Sequence, residues 1–167
     1  MSNDSSANAI TSTRVDAIRA FLDGAGVRYE LVEHRPVDTA AAEARAAERP
    51  PDTVAKTIVL HDGAVYVIAA ISAADRLDLR KLRDVLGADR ELRLASEDEI
   101  ARDFPALEVG AIPPFGPMLP AAEVIDSALA GQERVLCAAG DHRHSVLVDP
   151  REIVRVTASR IADIREE

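Results

Sequence analysis

A lysine interrupts an otherwise apolar run at residues 53 to 60, TVAKTIVL, and its surroundings give it chemical meaning. Of the 20 lysines and arginines only Lys56 and Lys81 are lysines, so where a plain surface cation suffices the chain uses arginine. Taking an ammonium out of water is costly enough that a buried lysine either loses its proton or finds an anion. Two partners stand open for Lys56. One is a carboxylate among the chain's own 29, or a snorkelling path to the rim of the sheet. The other is an anion carried in by a substrate.

A second chemical feature is EVGAIPPFGPMLP, residues 108 to 120, with four prolines and two glycines in thirteen residues. Gly110 lets a ligand approach the backbone, and Pro113 and Pro114 stiffen the loop, leaving neighbouring N–H and C=O groups free to face a ligand. A third is GDHRH, residues 140 to 144, which gathers Asp141, His142 and His144. His142 and His144 with only Cys137 nearby do not make a zinc spacing, so no metal is expected. A turn that lends one polar side chain to a pocket fits better. Cys137 sits in an apolar strand and reads as core, and no GxSxG elbow supports a serine nucleophile. His34 closes a strand just before Pro36 and Thr39 and reads as a strand-end histidine.

The elements that must position these residues follow from periodicity and caps. Thr13 and Asp16 have capping-box spacing and open a helix that Gly24 and Gly26 stop, leaving residues 1–12 as a flexible tail before a single domain, 13–167. VRYELVEH alternates as a strand, and DTAAAEARAAE is a helix opened by Asp38 or Thr39. TVAKTIVL and AVYVIAAI flank Asp62-Gly63, a two-residue hairpin signal. That register sets Lys56 opposite Ala69. DLRKLRDVLG is an amphipathic helix, ELRLA a short strand, and Ser96 with Glu99 opens another helix. EVIDSAL, RVLCAAG and SVLVD are strands, and Asp149-Pro150 starts a closing helix. Strand pairs mixed with helices, without a regular βαβ repeat, indicate an α/β chain of the α+β type, a mixed sheet flanked by helices.

The 167 residues suffice for one core without disulfides, and no run approaches a membrane span, so the expectation is a soluble cytoplasmic protein. A net charge of -9 argues against broad binding of DNA or RNA, which draws its energy from neutralised phosphates. Arg76, Arg80 and Arg83, at helical spacing beside Lys81, read as a solvated face balanced by Asp75, Asp78 and Asp84.

In this order, His34 with Thr39 and the Ala-rich helix, VAKTIVL, the GxxxP loop from Gly110 to Pro114, VIDSAL and AAGDHRHSVLVDP resemble the YbaK/ProX family of aminoacyl-tRNA editing domains. The resemblance runs from about residue 27 to residue 164. It implies a pseudo-barrel of mixed strands around a pocket, and hydrolysis of the ester joining a wrong amino acid to tRNA, without metal or cofactor. It implies that Lys56 holds the acceptor end and that Gly110 positions substrate and water, with Thr39, Pro114, Phe115, Gly140, Asp141 and His142 as substrate contacts. Water activation by a ribose hydroxyl of the substrate is implied too. The partner is a mischarged tRNA, with a synthetase as an auxiliary one. The competing class is a non-catalytic binding module that keeps the pocket.

Overall fold

The first helix, α1, runs Asn3–Gly24 in the computed structural model of the chain, which describes residues 3–87, 91–115 and 121–167, with 3–13 described by backbone alone. It begins well upstream of Thr13, where the sequence placed its start and a tail before it. Residues 3–12 contain neither proline nor glycine, so nothing local stops the helix from propagating toward the N-terminus.

Strand β1 (Tyr29–Glu33) and helix α2 (Ala40–Ala46) follow, then a single 3₁₀ turn, Pro51–Thr53. The hairpin of β2 (Ala55–His61) and β3 (Tyr66–Ser72) leads to α3 (Leu79–Leu86), β4 (Arg93–Leu94) and α4 (Glu97–Asp103). After the proline-rich loop come β5 (Ala122–Asp126), α5 (Ser127–Ala130), β6 (Val135–Ala138), β7 (His144–Val148), α6 (Pro150–Thr157) and β8 (Arg160–Ala162). The side chains of Thr39, Asp78, Ser96 and Asp149 each accept a backbone N–H at the start of α2, α3, α4 and α6, which is why those four boundaries were readable. EVIDSAL is not one strand. Its Asp126 ends β5 and caps α5 by accepting from Ala128 N.

The strands form two sheets, ordered β1-β7-β6 and β4-β2-β3-β5-β8. Pairings β3–β5 and β5–β8 are parallel and the others antiparallel. A parallel bridge between Val54 and Leu136 stitches the sheets together, giving the mixed, barrel-like arrangement with flanking helices that was expected. The main core lies between the sheets. Val59, Ile68 and Ile125 meet Cys137, Val146 and Val148 there, and Ile18 and Leu22 of α1 close one side. The opposite face of the five-stranded sheet packs Leu60, Val67 and Ile71 under Leu82 of α3. The outer face of the three-stranded sheet packs Leu136 and Leu147 against Ala44 of α2.

The hairpin register differs from the expected one by two residues. His61 pairs with Tyr66, so the loop is Asp62 to Val65, and Lys56 stands opposite Ile71 while Ala69 faces Ile58. The cause is local. Asp62 Oδ1 accepts from Ala64 N at 3.0 Å and Val65 N at 2.8 Å, and this side-chain turn replaces the two-residue one. A shift of two preserves which face each side chain takes. Among the described residues no helix is long and apolar enough to cross a membrane.

Candidate active site

A cavity of about 260 Å³ opens between β2, the start of α2 and the loop at Gly110. Ala55, Thr57 and Val59, on one face of β2 by strand alternation, form its floor, and Ile100, Ile112 and Ala138 add apolar wall. The polar lining comes from His34, Asp38, Thr39, Glu43, Lys56, Thr57 and Asp141.

Gly110 is the tightest point. Its φ is +87°, and a Cβ built there would lie 2.5 Å from the carbonyl oxygen of Asp38, the residue before the cap of α2. Only glycine lets the loop seat against that backbone. The loop is laced from behind as well. Glu108 N donates to the Gly140 carbonyl at 2.8 Å, and Gly140 N donates to the Ala111 carbonyl at 3.0 Å. The Glu108 carboxylate is gripped by Arg14 of α1 at 2.6 Å and by His142 Nδ1 at 2.9 Å, while His142 Nε2 lies 2.7 Å from the Val109 carbonyl.

This places four of the expected substrate contacts elsewhere. Gly140 and His142 support the loop from outside the cavity lining, and Pro114 and Phe115 are buried beneath it. Phe115 is 1% exposed, its ring centroid 5.8 Å from that of Phe21 in the core. As the largest apolar group on a stiff loop, it contributes more by burial than by waiting for a ligand. The second half of the loop, Gly116 to Pro120, lies outside the described residues. Thr39 and Asp141 do line the cavity. The Thr39 hydroxyl accepts from Ala42 N at 3.1 Å, and Asp141 Oδ1 accepts from Arg143 N at 2.7 Å and His144 N at 2.9 Å.

Lys56 starts on the face opposite the floor, with Ile58 and Leu60. Because β4 pairs only with Leu60 and His61, the flank of β2 is open at Lys56, which contributes to the cavity wall. Its ammonium donates to the main-chain carbonyl of Asp75 at 2.5 Å, and burial holds its pKa below the ordinary lysine range against the pull of Asp75. The partner in the free protein is thus a backbone oxygen, which a search for carboxylates in the sequence does not reveal.

The sequence reading missed one group entirely. Glu43 of α2 is 4% exposed, and its Oε2 lies 2.6 Å from Ser145 Oγ, which lies 2.8 Å from His34 Nε2. Desolvation pushes the Glu43 pKa up to about 7, partly opposed by the Ser145 hydroxyl. In AAAEARA nothing marks Glu43 as the buried acid, because helical phase relative to the sheet decides it.

A family model for the aminoacyl-tRNA editing domain matches residues 34–156. The chain belongs to that family. The prolyl-tRNA editing protein ProX of Acetoanaerobium sticklandii is 27% identical over 146 residues, 84% of this chain and 88% of that protein. A solved structure described as a candidate trans-editing enzyme for prolyl tRNA synthetase superposes with a TM-score of 0.82 at 25% identity, covering 92% of this chain and 98% of that one. The fold is shared with a candidate signal transduction protein from Marinobacter aquaeolei VT8, where 90% of this chain matches 30% of that one with a TM-score of 0.68 at 20% identity.

The matched editing domain begins at His34, the first cavity residue along the chain, and ends within α6. Helix α1 precedes it yet belongs to the site's support, since a Cβ on Gly140 would lie 3.6 Å from the Arg14 carbonyl oxygen and Arg14 grips Glu108. Cys137 is fully buried and its thiol pKa is pushed well up by desolvation, so it is core.

Proposed function

We propose that this editing domain is a deacylase acting in trans on mischarged tRNA, hydrolysing the ester between a small amino acid and the terminal ribose. The observation that carries the reading is the cavity itself. It has a rigid glycine loop on one wall, the short side chains of Ala55, Thr57 and Val59 on its floor and a lysine at its margin. Its relatives named for prolyl-tRNA editing point to mischarged tRNA(Pro) as substrate, with a synthetase as the source of the error. Discrimination by exclusion suits such a cavity. One methylene is worth only about 1–3 kcal/mol in binding, so a hydrolytic sieve that admits small acyl groups supplies selectivity that binding alone cannot.

In the mechanism, the backbone N–H groups of Gly110 and Ile112 hold the ester and stabilise the developing oxyanion, an arrangement worth about 3 kcal/mol per well-aimed donor, while Ala111 N and its carbonyl stay bonded to Glu108 and Gly140 and fix the loop. Lys56 exchanges the Asp75 carbonyl for a phosphate of the acceptor end. A ribose hydroxyl of the substrate activates the water. The test is single-turnover deacylation of Ala-, Ser-, Cys- and Pro-tRNA(Pro) by the wild type and by Lys56→Ala. One mischarged species should be hydrolysed by the wild type, and Lys56→Ala should slow it by about 10- to 100-fold, the value of a hydrogen bond to a charged group. Tight binding without turnover of any species would establish the non-catalytic module instead.

His142 supports the loop without lining the cavity, so His142→Ala should lower kcat/KM by only about 3- to 10-fold and leave the pH profile unchanged. A collapse of activity together with loss of a titration near neutral pH would make His142 a protein base and overturn the substrate-assisted mechanism.

A further inference from the structure

The cavity contains a polar chain, running from the buried Glu43 and Ser145 to the half-buried His34, for which substrate-assisted ester hydrolysis has no use. His34 Nδ1 lies 2.8 Å from the Arg35 carbonyl, an oxygen that only accepts, so Nδ1 carries a hydrogen. Nε2 lies 2.8 Å from Ser145 Oγ, and Oγ lies 2.6 Å from Glu43 Oε2. With Glu43 protonated, it donates to Ser145, which donates to a neutral His34. With Glu43 ionised, Ser145 donates to it, and Nε2–H donates to Ser145. The two forms interconvert by shifting one hydrogen along each contact, with nothing exchanged with solvent.

Two other carboxylates line the cavity. Asp141 already accepts from Arg143 N, His144 N and the His144 ring, and Asp38 is exposed at the rim. Glu43 differs from both. Its Oε1 belongs to a buried residue lining the cavity and, among the described residues, receives no hydrogen bond.

Resting on the editing reading, we propose that Glu43 receives the α-ammonium of the aminoacyl group, ionising as the substrate enters by passing its proton through Ser145 to His34. An aminoacyl ester brings a cation into a cavity whose floor and wall include the apolar Ala55, Val59 and Ile112, and a desolvated cation needs an anion beside it. A permanently ionised Glu43 would be a bare buried charge in the empty site. Desolvation raises its pKa to about 7, which keeps the proton available until the ammonium arrives. The charged groups around it do not compete. Lys56 on β2 is held by Asp75, Asp141 in the β6–β7 connection is saturated, Asp38 stays at the rim, and Cys137 on β6 is kept neutral by burial.

The site therefore recognises the free amine as well as the size of the acyl group. The experiment compares alanyl- and seryl-tRNA(Pro) with their α-hydroxyacyl counterparts, made from them by nitrous acid and differing only by hydroxyl in place of amine. Wild-type kcat/KM should favour the amine by about 10- to 100-fold, the scale of a hydrogen bond to a charged group. Glu43→Gln should bring the amine-to-hydroxyl ratio close to one, and Ser145→Ala should keep the preference but shift its onset to higher pH. Equal wild-type rates on both forms overturn the ammonium assignment and leave the editing reading standing. Loss of both rates in the same proportion in Glu43→Gln makes Glu43 structural and overturns the assignment as well. Wild-type turnover of neither form, with Cys-tRNA(Pro) left intact as well, sinks the editing reading, and this proposal with it.

Discussion

Gly110→Ala should lower deacylation kcat/KM by about 100-fold or more, the cost of misplacing a positioning element by around an ångström. Two independent penalties act at this position. The backbone sits at φ +87°, where an L side chain is strained by about 1–2 kcal/mol. The new methyl would also press into the Asp38 carbonyl oxygen at 2.5 Å, and that backbone leads directly into the cap of α2. The loop must lift away from α2, which widens the cavity and turns the Gly110 to Ile112 backbone off the ester. Stability should suffer much less, because the hydrogen bonds between Glu108, Ala111 and Gly140 and the Arg14–Glu108 pair lie behind the loop. Single-turnover kinetics and a thermal melt on the same sample separate the two effects. Gly24→Ala is the control, since a Cβ at Gly24 meets nothing within 4 Å, and it should retain wild-type activity. Equal activity of the two variants would remove Gly110 from the mechanism.

What could be read before any coordinates depended on how local the cause was. The caps Thr39, Asp78, Ser96 and Asp149 act within three residues of themselves, and each of those helices begins where its cap does. The requirement for glycine at position 110 was visible as a motif, but its cause, a carbonyl 72 positions earlier in the chain, was not. Lys56 shows the same limit. Its need for a partner followed from the surrounding apolar run, yet the partner is a main-chain oxygen at Asp75, and every residue has one of those. The register slip came from Asp62, whose carboxylate bonds its own turn. Strand β8 escaped because RIA is too short to show alternation and is stabilised by parallel pairing to β5, a partner more than thirty residues away. Glu43 and Ser145 come from α2 and β7 and meet only through packing, so no spacing in the sequence relates them.

Glu123→Gln should gain about 3–4 kcal/mol of stability on the wild type between pH 5 and pH 8. Glu123 lies on β5, opposite Ile68, and is 6% exposed with neither carboxylate oxygen hydrogen-bonded among the described residues. Burial pushes its pKa up to about 8 from 4.5, and the Thr157 hydroxyl, which bonds the Ile153 carbonyl, offsets only part of that. Between those two values the unfolded chain ionises and the folded chain must keep its proton. The native state therefore binds more protons, and stability falls as pH rises, at up to about 1.4 kcal/mol per pH unit for such a group. Glu43, raised to about 7, adds a decline of the same sign over pH 4.5 to 7. The carboxylates Glu99 and Asp103, both lowered to about 2 chiefly by arginine partners, act in the opposite sense and only in acid. Wild-type stability should therefore peak near pH 5 and decline toward pH 8. Glutamine keeps the shape of the side chain and cannot ionise, so it removes the Glu123 part of the slope while leaving that of Glu43. Urea unfolding at pH 5, 6.5 and 8 reads this directly as a midpoint difference that widens with pH at constant m. A difference independent of pH would mean that Glu123 is already ionised in the fold, with a cation beside it.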